Sequence, residues 1–156
     1  MDLPDLKPDC SACAALCCVV FAFDKSESFA IDKAAGEACP NLGPKDECKV
    51  FHNRTHLGFP GCVSYDCHGA GQVGTREVFQ GRSWRNDASL TVRMGTALSV
   101  LRRIHEQLLL LETAARLPLD TDARTRLSVL RADLNPDAPW TEDNLQAFPI
   151  DEAVRR

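Results

Sequence analysis

Residues 10–18 read Cys10-Ser11-Ala12-Cys13-Ala14-Ala15-Leu16-Cys17-Cys18, and this run decides what kind of fold the chain can make. Four of its eight cysteines fall here; the others follow at Cys39, Cys48, Cys62 and Cys67, and none occurs after that in a chain of 156 residues. A CxxC pair followed by an adjacent Cys-Cys pair supplies soft, ionisable sulfur from several points of the backbone. A multi-thiolate metal site needs that donor set. Two other uses of cysteine compete with it. An even number of thiols also suits a disulfide framework in a small secreted domain, but residues 1–9 are acidic and lack the apolar core of a signal peptide. The expectation is therefore a cytoplasmic protein whose thiols stay reduced or metal-bound. Buried cysteines also pack as small hydrophobes, which accounts for one or two of the eight but not for a cluster.

Working outward from this run, Asp9 is placed to cap a helix over about 10–20, which would set Cys10, Cys13 and Cys17 on one stripe and Cys18 to its side. Val19 to Phe23 reads as a strand or core segment, because β-branched and aromatic residues favour a pleated, half-buried surface. Beyond it, Gly36, Pro40, Gly43, Pro44, Gly58, Pro60 and Gly61 break the chain into turns. A loop-rich module has a thin core, so coordination is the expected source of its order.

Charge divides the chain. Residues 1–75 carry all five lysines, one arginine and ten acids; residues 76–156 carry twelve arginines and twelve acids. Together with the end of the cysteines, this places a boundary near residue 80: a cysteine-rich metal-binding module over 1–80 and a helical segment over 81–156. In the second part, Met94, Ala97, Leu101, Ile104, Leu108, Leu111 and Ala115 recur at spacings of three and four. The pattern predicts helices over about 90–117, capped by Ser89 and ended by Pro118, over 121–134, and over 142–148 behind Thr141. The short link at 117–120 predicts an antiparallel hairpin of the first two. The fold class expected is a small, α-rich and loop-rich metal-stabilised module followed by an antiparallel helical hairpin. That hairpin packs on the module, on a protein partner or, through the 90–117 helix, on a second copy of the chain.

The pattern around the later cysteines, Cys39-Pro-Asn-Leu, Cys48-Lys-Val-Phe and Tyr-Asp-Cys67, follows the opening CxxCxxxCC. With these residues in view, the chain resembles the YkgJ-type cysteine-cluster proteins, whose signature is CxxCxxCC followed by four spaced cysteines. The opening here is one residue longer between Cys13 and Cys17, and Gly-Phe-Pro-Gly precedes Cys62 in place of Arg-Pro. The family is described as zinc- or iron-chelating, with some members labelled iron–sulfur proteins. The resemblance thus implies metal ligation by Cys10, Cys13, Cys17, Cys18, Cys39, Cys48, Cys62 and Cys67. Residues 10–72 are also similar to the cysteine-rich start of some actinobacterial pentapeptide-repeat proteins. Eight thiolates match two four-coordinate centres, either zinc or iron–sulfur. Flagellin lysine methylases carry a similar cluster, which implies as an alternative an iron–sulfur enzyme, or enzyme component, modifying a protein or peptide.

Other motifs carry less. His52 and His56 are spaced i, i+4 but read as solvated beside eight thiols. His68 is placed to donate a hydrogen bond to a ligand, and His105 reads as structural. Gly69-Ala-Gly71-Gln-Val-Gly74 spells a dinucleotide fingerprint without the surrounding βαβ unit, so it reads as a turn letting backbone pass close to the metal site. Asn53-Arg54-Thr55 is a glycosylation sequon that matters only on secretion. A formal net charge of −4 argues against general nucleic-acid binding, and no apolar run reaches membrane-spanning length. No nucleophilic triad or phosphate loop is present.

Overall fold

A computed structural model describes residues 3–155. Seven α-helices are present among them, with no strand: α1 Leu16–Val20, α2 Pro60–Ser64, α3 Ala70–Val73, α4 Leu90–Ala114, α5 Thr121–Leu134, α6 Glu142–Ala147 and α7 Ile150–Arg155. Short 3-10 turns over Cys10–Ala12 and Phe51–Asn53 complete the regular structure, and α3 continues into a wider π-type turn over Gly74–Val78.

Helix α4 organises the molecule. Its Met94, Ala97, Leu98, Leu101, Ile104 and Leu108 are each at most 3% exposed, as the three–four spacing requires of a core-facing stripe. What they meet belongs to the same chain. Leu16, Ala70, Val73 and Phe79 from one side of residue 80, and Leu134, Leu145 and Ile150 from the other, join them in one hydrophobic cluster. The seam expected to face a partner or a second copy is therefore filled internally, while Leu109 and Leu110 stay outside at 41% and 57% exposure. Gly95 makes room for α1, since a Cβ there would lie 3.0 Å from Val20 Cγ1.

Several ends differ from the expected ones for identifiable reasons. At the start of α4, Asp87 rather than Ser89 makes the side-chain contacts: Asp87 Oδ1 accepts from the Ser89 N–H at 3.0 Å and from its hydroxyl at 2.6 Å. The helix ends at Ala114, and a tight turn, not helix, leads to Pro118. Asp120 caps α5 by accepting from the Ala123 N–H at 2.8 Å, and Thr141 with Asn144 forms the reciprocal capping box of α6. Helix α7 lies beyond the last expected element; Ile150 buries it and an Arg103–Asp151 pair at 2.7 Å ties it to α4. Helix α5 touches α4, with Arg131 and Glu112 paired at 3.1 Å, but Leu134 is its one buried residue.

The largest departures lie in the first 25 residues. A helix over 10–20 does not form. Ala15 takes a left-handed conformation (φ 52°) that separates the Cys10–Ala12 turn from α1. Distant side chains hold the corner: the Ala14 N–H donates to Thr75 Oγ1 at 3.0 Å, and the Ala14 carbonyl accepts from the Trp84 indole at 2.7 Å. The expected strand over 19–23 is also absent. Val19 and Val20 finish α1, and only Phe23 makes a bridge, to Lys33.

Candidate metal centre

Each thiol is positioned by local chemistry that the sequence already contains. Asp9 accepts from the Ser11 N–H at 3.0 Å and so starts the turn carrying Cys10, while its own N–H donates to Gln72 Oε1 at 2.9 Å. Buried Gln72 also donates to the Lys7 carbonyl at 2.9 Å, which fastens the N-terminal arm over α3. The Cys39 N–H donates to the Cys18 carbonyl at 2.9 Å, bringing the second cysteine segment against α1. A turn then folds back on itself through the Leu42–Cys48 bridge. Cys62 rides on α2, begun by Pro60 at a position where the missing N–H is harmless. Cys67 precedes α3, whose first N–H groups include Ala70 donating to the Cys67 carbonyl at 2.9 Å.

These segments enclose one cavity of about 570 Å³, and all eight cysteines line it. None is in a disulfide. Cys17 and Cys18 hold their sulfurs 4.0 Å apart. Among the described residues, no three Cys, His, Asp or Glu side chains already close around a common point. The thiols are gathered on one wall system but not drawn into a coordination sphere.

Electrostatics shows which thiols are neighbours. Burial pushes the Cys13 thiol up to about 11, with the charges of Cys17 and Cys67 adding to it. Burial also raises Cys10, again helped by Cys17 and Cys67. Cys62 rises through burial and then through Cys17, Cys39 and Cys48. The hydrogen bond with Cys18 raises Cys17 most, followed by burial. Cys17 is exposed, and the surface it exposes is the wall of the cavity. Each thiolate opposes its neighbours' ionisation, and a bound cation would reverse that preference.

Three further observations test whether a metal group suits the cavity. Tyr65 lines it, and its buried hydroxyl has no hydrogen-bond partner among the described residues. Gly71 lets backbone pass against the sulfurs, because a Cβ there would fall 2.8 Å from Cys13 Sγ and 3.8 Å from Cys67 Sγ. Arg54 brings positive charge. Its guanidinium donates to the Phe51 and Cys62 carbonyls at 2.9 and 3.0 Å, and it draws down the thiols of Cys10, Cys17 and Cys62. Soft donors, an orphaned donor group, a missing Cβ and a cation all suit an anionic metal–thiolate group.

The histidines stand apart from this cavity. His52 and His56 are exposed and do not share a helix, and His68 Nδ1 lies 3.4 Å from Asp66 Oδ1. His105 is buried, with Nδ1 2.6 Å from the His68 carbonyl, and burial holds its basicity down. The glycine run is half a turn and half a helix: Gly69 is left-handed at φ 78°, while residues 70–78 are helical. Sequence reading passed over Arg54, Tyr65 and Lys33; Tyr65 lay within the Tyr-Asp-Cys67 signature, but nothing local marked the other two.

Gly69 yields a direct test of how the arm is held. A Cβ at this left-handed position would sit 2.0 Å from the Asp5 carbonyl oxygen. Gly69→Ala is expected to lower stability by about 1–3 kcal/mol, from left-handed strain and the displaced arm. Chemical denaturation checks it; an unchanged midpoint would show that the arm is not packed there.

No family model matches the chain, and no solved structure matches it. It is similar to the uncharacterized protein YybG of Bacillus subtilis (strain 168), with 34% identity over 148 residues. That alignment takes in 95% of this chain and 53% of the relative, so the chain spans about half the length of the curated protein it matches. No helix among the described residues is long and apolar enough to cross a membrane.

Proposed function

We propose that the chain is a thiolate metal-binding protein whose cysteine module is stabilised by the metal it holds and carried on the α4–α5 helix pair. The observation that carries this reading is the placement of all eight cysteines on one cavity. Cysteines scattered over 58 residues of chain converge there (Cys10 to Cys67), which packing as small hydrophobes does not require. The resemblance to YkgJ-type proteins points the same way.

The neighbour relations suggest two centres. Cys10, Cys13 and Cys67 would belong to one, with Cys13 and Cys67 lying against Gly71. Cys39, Cys48 and Cys62 would belong to the other, tied to α1 by the Cys18–Cys39 backbone bond, with the adjacent Cys17 and Cys18 completing the two sets. Closed four-thiolate sites would supply folding free energy as zinc centres, or electron transfer as iron–sulfur centres.

The deciding experiment is anaerobic purification followed by measurement of metal, acid-labile sulfide and the visible spectrum. About two metal ions per chain without colour, or iron with matching sulfide and a brown chromophore, is the expected result. A metal-free chain with reduced, freely alkylated thiols would overturn the reading. Colourless zinc would point to a structural or binding module; iron and sulfide would make redox or radical chemistry on a protein or peptide substrate the next question.

A further inference from the structure

Lys33 is the most deeply buried charged group near the cavity, at 6% exposure, yet it does not line it. Its ammonium donates to three backbone carbonyls: Val19 at 3.3 Å, Ala34 at 3.1 Å and Glu37 at 2.7 Å. The aromatic face of Phe23 covers it at 5.3 Å. No carboxylate among the described residues lies within ion-pairing distance of it. Taking an ammonium out of water without a counter-charge is strongly unfavourable, and carbonyl dipoles offset only part of it. A neutral donor would clip the same carbonyls with less desolvation. The position therefore calls for negative charge nearby.

The carbonyls that hold Lys33 flank the cavity wall. Val19 follows Cys18, Glu37 lies two residues before Cys39, and the Cys18 carbonyl accepts from the Cys39 N–H at 2.9 Å. We infer that Lys33 is a built-in counter-cation for the metal-loaded thiolate group, its ammonium set behind the Cys18–Cys39 wall. A divalent ion held by four thiolates keeps a net charge of about −2, and so does a four-iron cluster held by four thiolates. Either would supply the missing anion. Burial weakens the hold of Lys33 on its proton, and negative charge at Cys39, Cys18 and Cys17 acts in the opposite direction. Glu37 acts in the same sense as the thiolates, but its side chain is exposed to solvent screening.

The inference rests on the metal-binding reading and is tested on the full chain with Zn²⁺ as the probe, competed anaerobically by a chromophoric chelator. Lys33→Met should raise the Zn²⁺ dissociation constant about 10–100-fold, the range for outer-sphere partners of a metal site, with stoichiometry unchanged. The metal-free variant should resist denaturant at least as well as the metal-free wild type. Val19 O and Ala34 O keep the Gly36 and Glu37 N–H groups as partners, so removing the ammonium orphans little. Unchanged Zn²⁺ affinity, or equal destabilisation of the metal-free and loaded forms, would overturn the counter-cation role. In the wild type, the Lys33 ammonium followed by NMR should keep its proton to higher pH when Zn²⁺ is bound. An equal or lower titration would overturn the inference even if Lys33→Met fails to fold. A wild type that takes up no Zn²⁺ would overturn the metal-binding reading itself, and this inference with it.

Discussion

Cys13→Ser is expected to remove about half of the bound metal, and Cys48→Ser the other half, with the double variant holding none. The two residues fall in different neighbour groups. Cys13 and Cys67 both lie against Gly71, whereas Cys48 is among the thiols whose charge acts on Cys62. A serine hydroxyl stays protonated at neutral pH and is a poor ligand for a soft site. Structural zinc in small domains binds with about 10–16 kcal/mol of apparent free energy, comparable to the ~5–15 kcal/mol net stability of a typical domain. Loss of metal should therefore be accompanied by a large loss of stability. Metal analysis with thermal denaturation of each single variant reads both effects. A folded variant with unchanged metal would remove that cysteine from the ligand set. Complete loss in either single variant would replace two separate centres by one shared polynuclear group.

Leu101→Ala should lower stability by about 2–5 kcal/mol, the range for a truncated core leucine that leaves a cavity. Leu101 is fully buried at the middle of α4, and its Cδ1 reaches within 3.7 Å of the Cβ position of Gly74. It thus joins the long helix to the π-type turn beneath the cavity. For a chain of this size the loss corresponds to a fall in Tm of roughly 5–20 °C. Leu110→Ala, more than half exposed on the same helix, should change stability by less than about 0.5 kcal/mol. Calorimetry of both variants checks the contrast. Equal effects would mean that the core face of α4 is not the one described.

The carboxy-terminal helices were legible because their signals are local. Met94 through Leu108 repeat at helical spacing, Asp120 and Thr141 are followed at once by the N–H groups they cap, and Pro118 prevents continuation. At the start of α4 two local options competed: Ser89 holds the cap position, as expected, but Asp87 accepts the side-chain hydrogen bonds there. The first 25 residues were misread for the opposite reason. Nothing within Cys10–Val20 announces a break at Ala15; Thr75 and Trp84, some 60–70 residues away in sequence, hold Ala14 and impose the left-handed corner. Likewise Val19 and Val20 prefer strands, but burial against α4 keeps them helical.

The donor set belonged to the sequence alone: eight soft, ionisable sulfurs, four of them in one short run and four spread over the next 49 residues, together with the helices that would support them. Tertiary structure decided that these sulfurs share one cavity, that Cys13 and Cys67 meet across a glycine without a side chain, and that the buried Lys33 ammonium is held by the Val19, Ala34 and Glu37 carbonyls. Residue type dictates which chemistry a site can perform and local spacing dictates helices and caps, since both depend on bonds within a turn or two. Which distant thiols and charges become neighbours depends on how the apolar face of α4 is covered, and that burial is settled only when the whole chain packs.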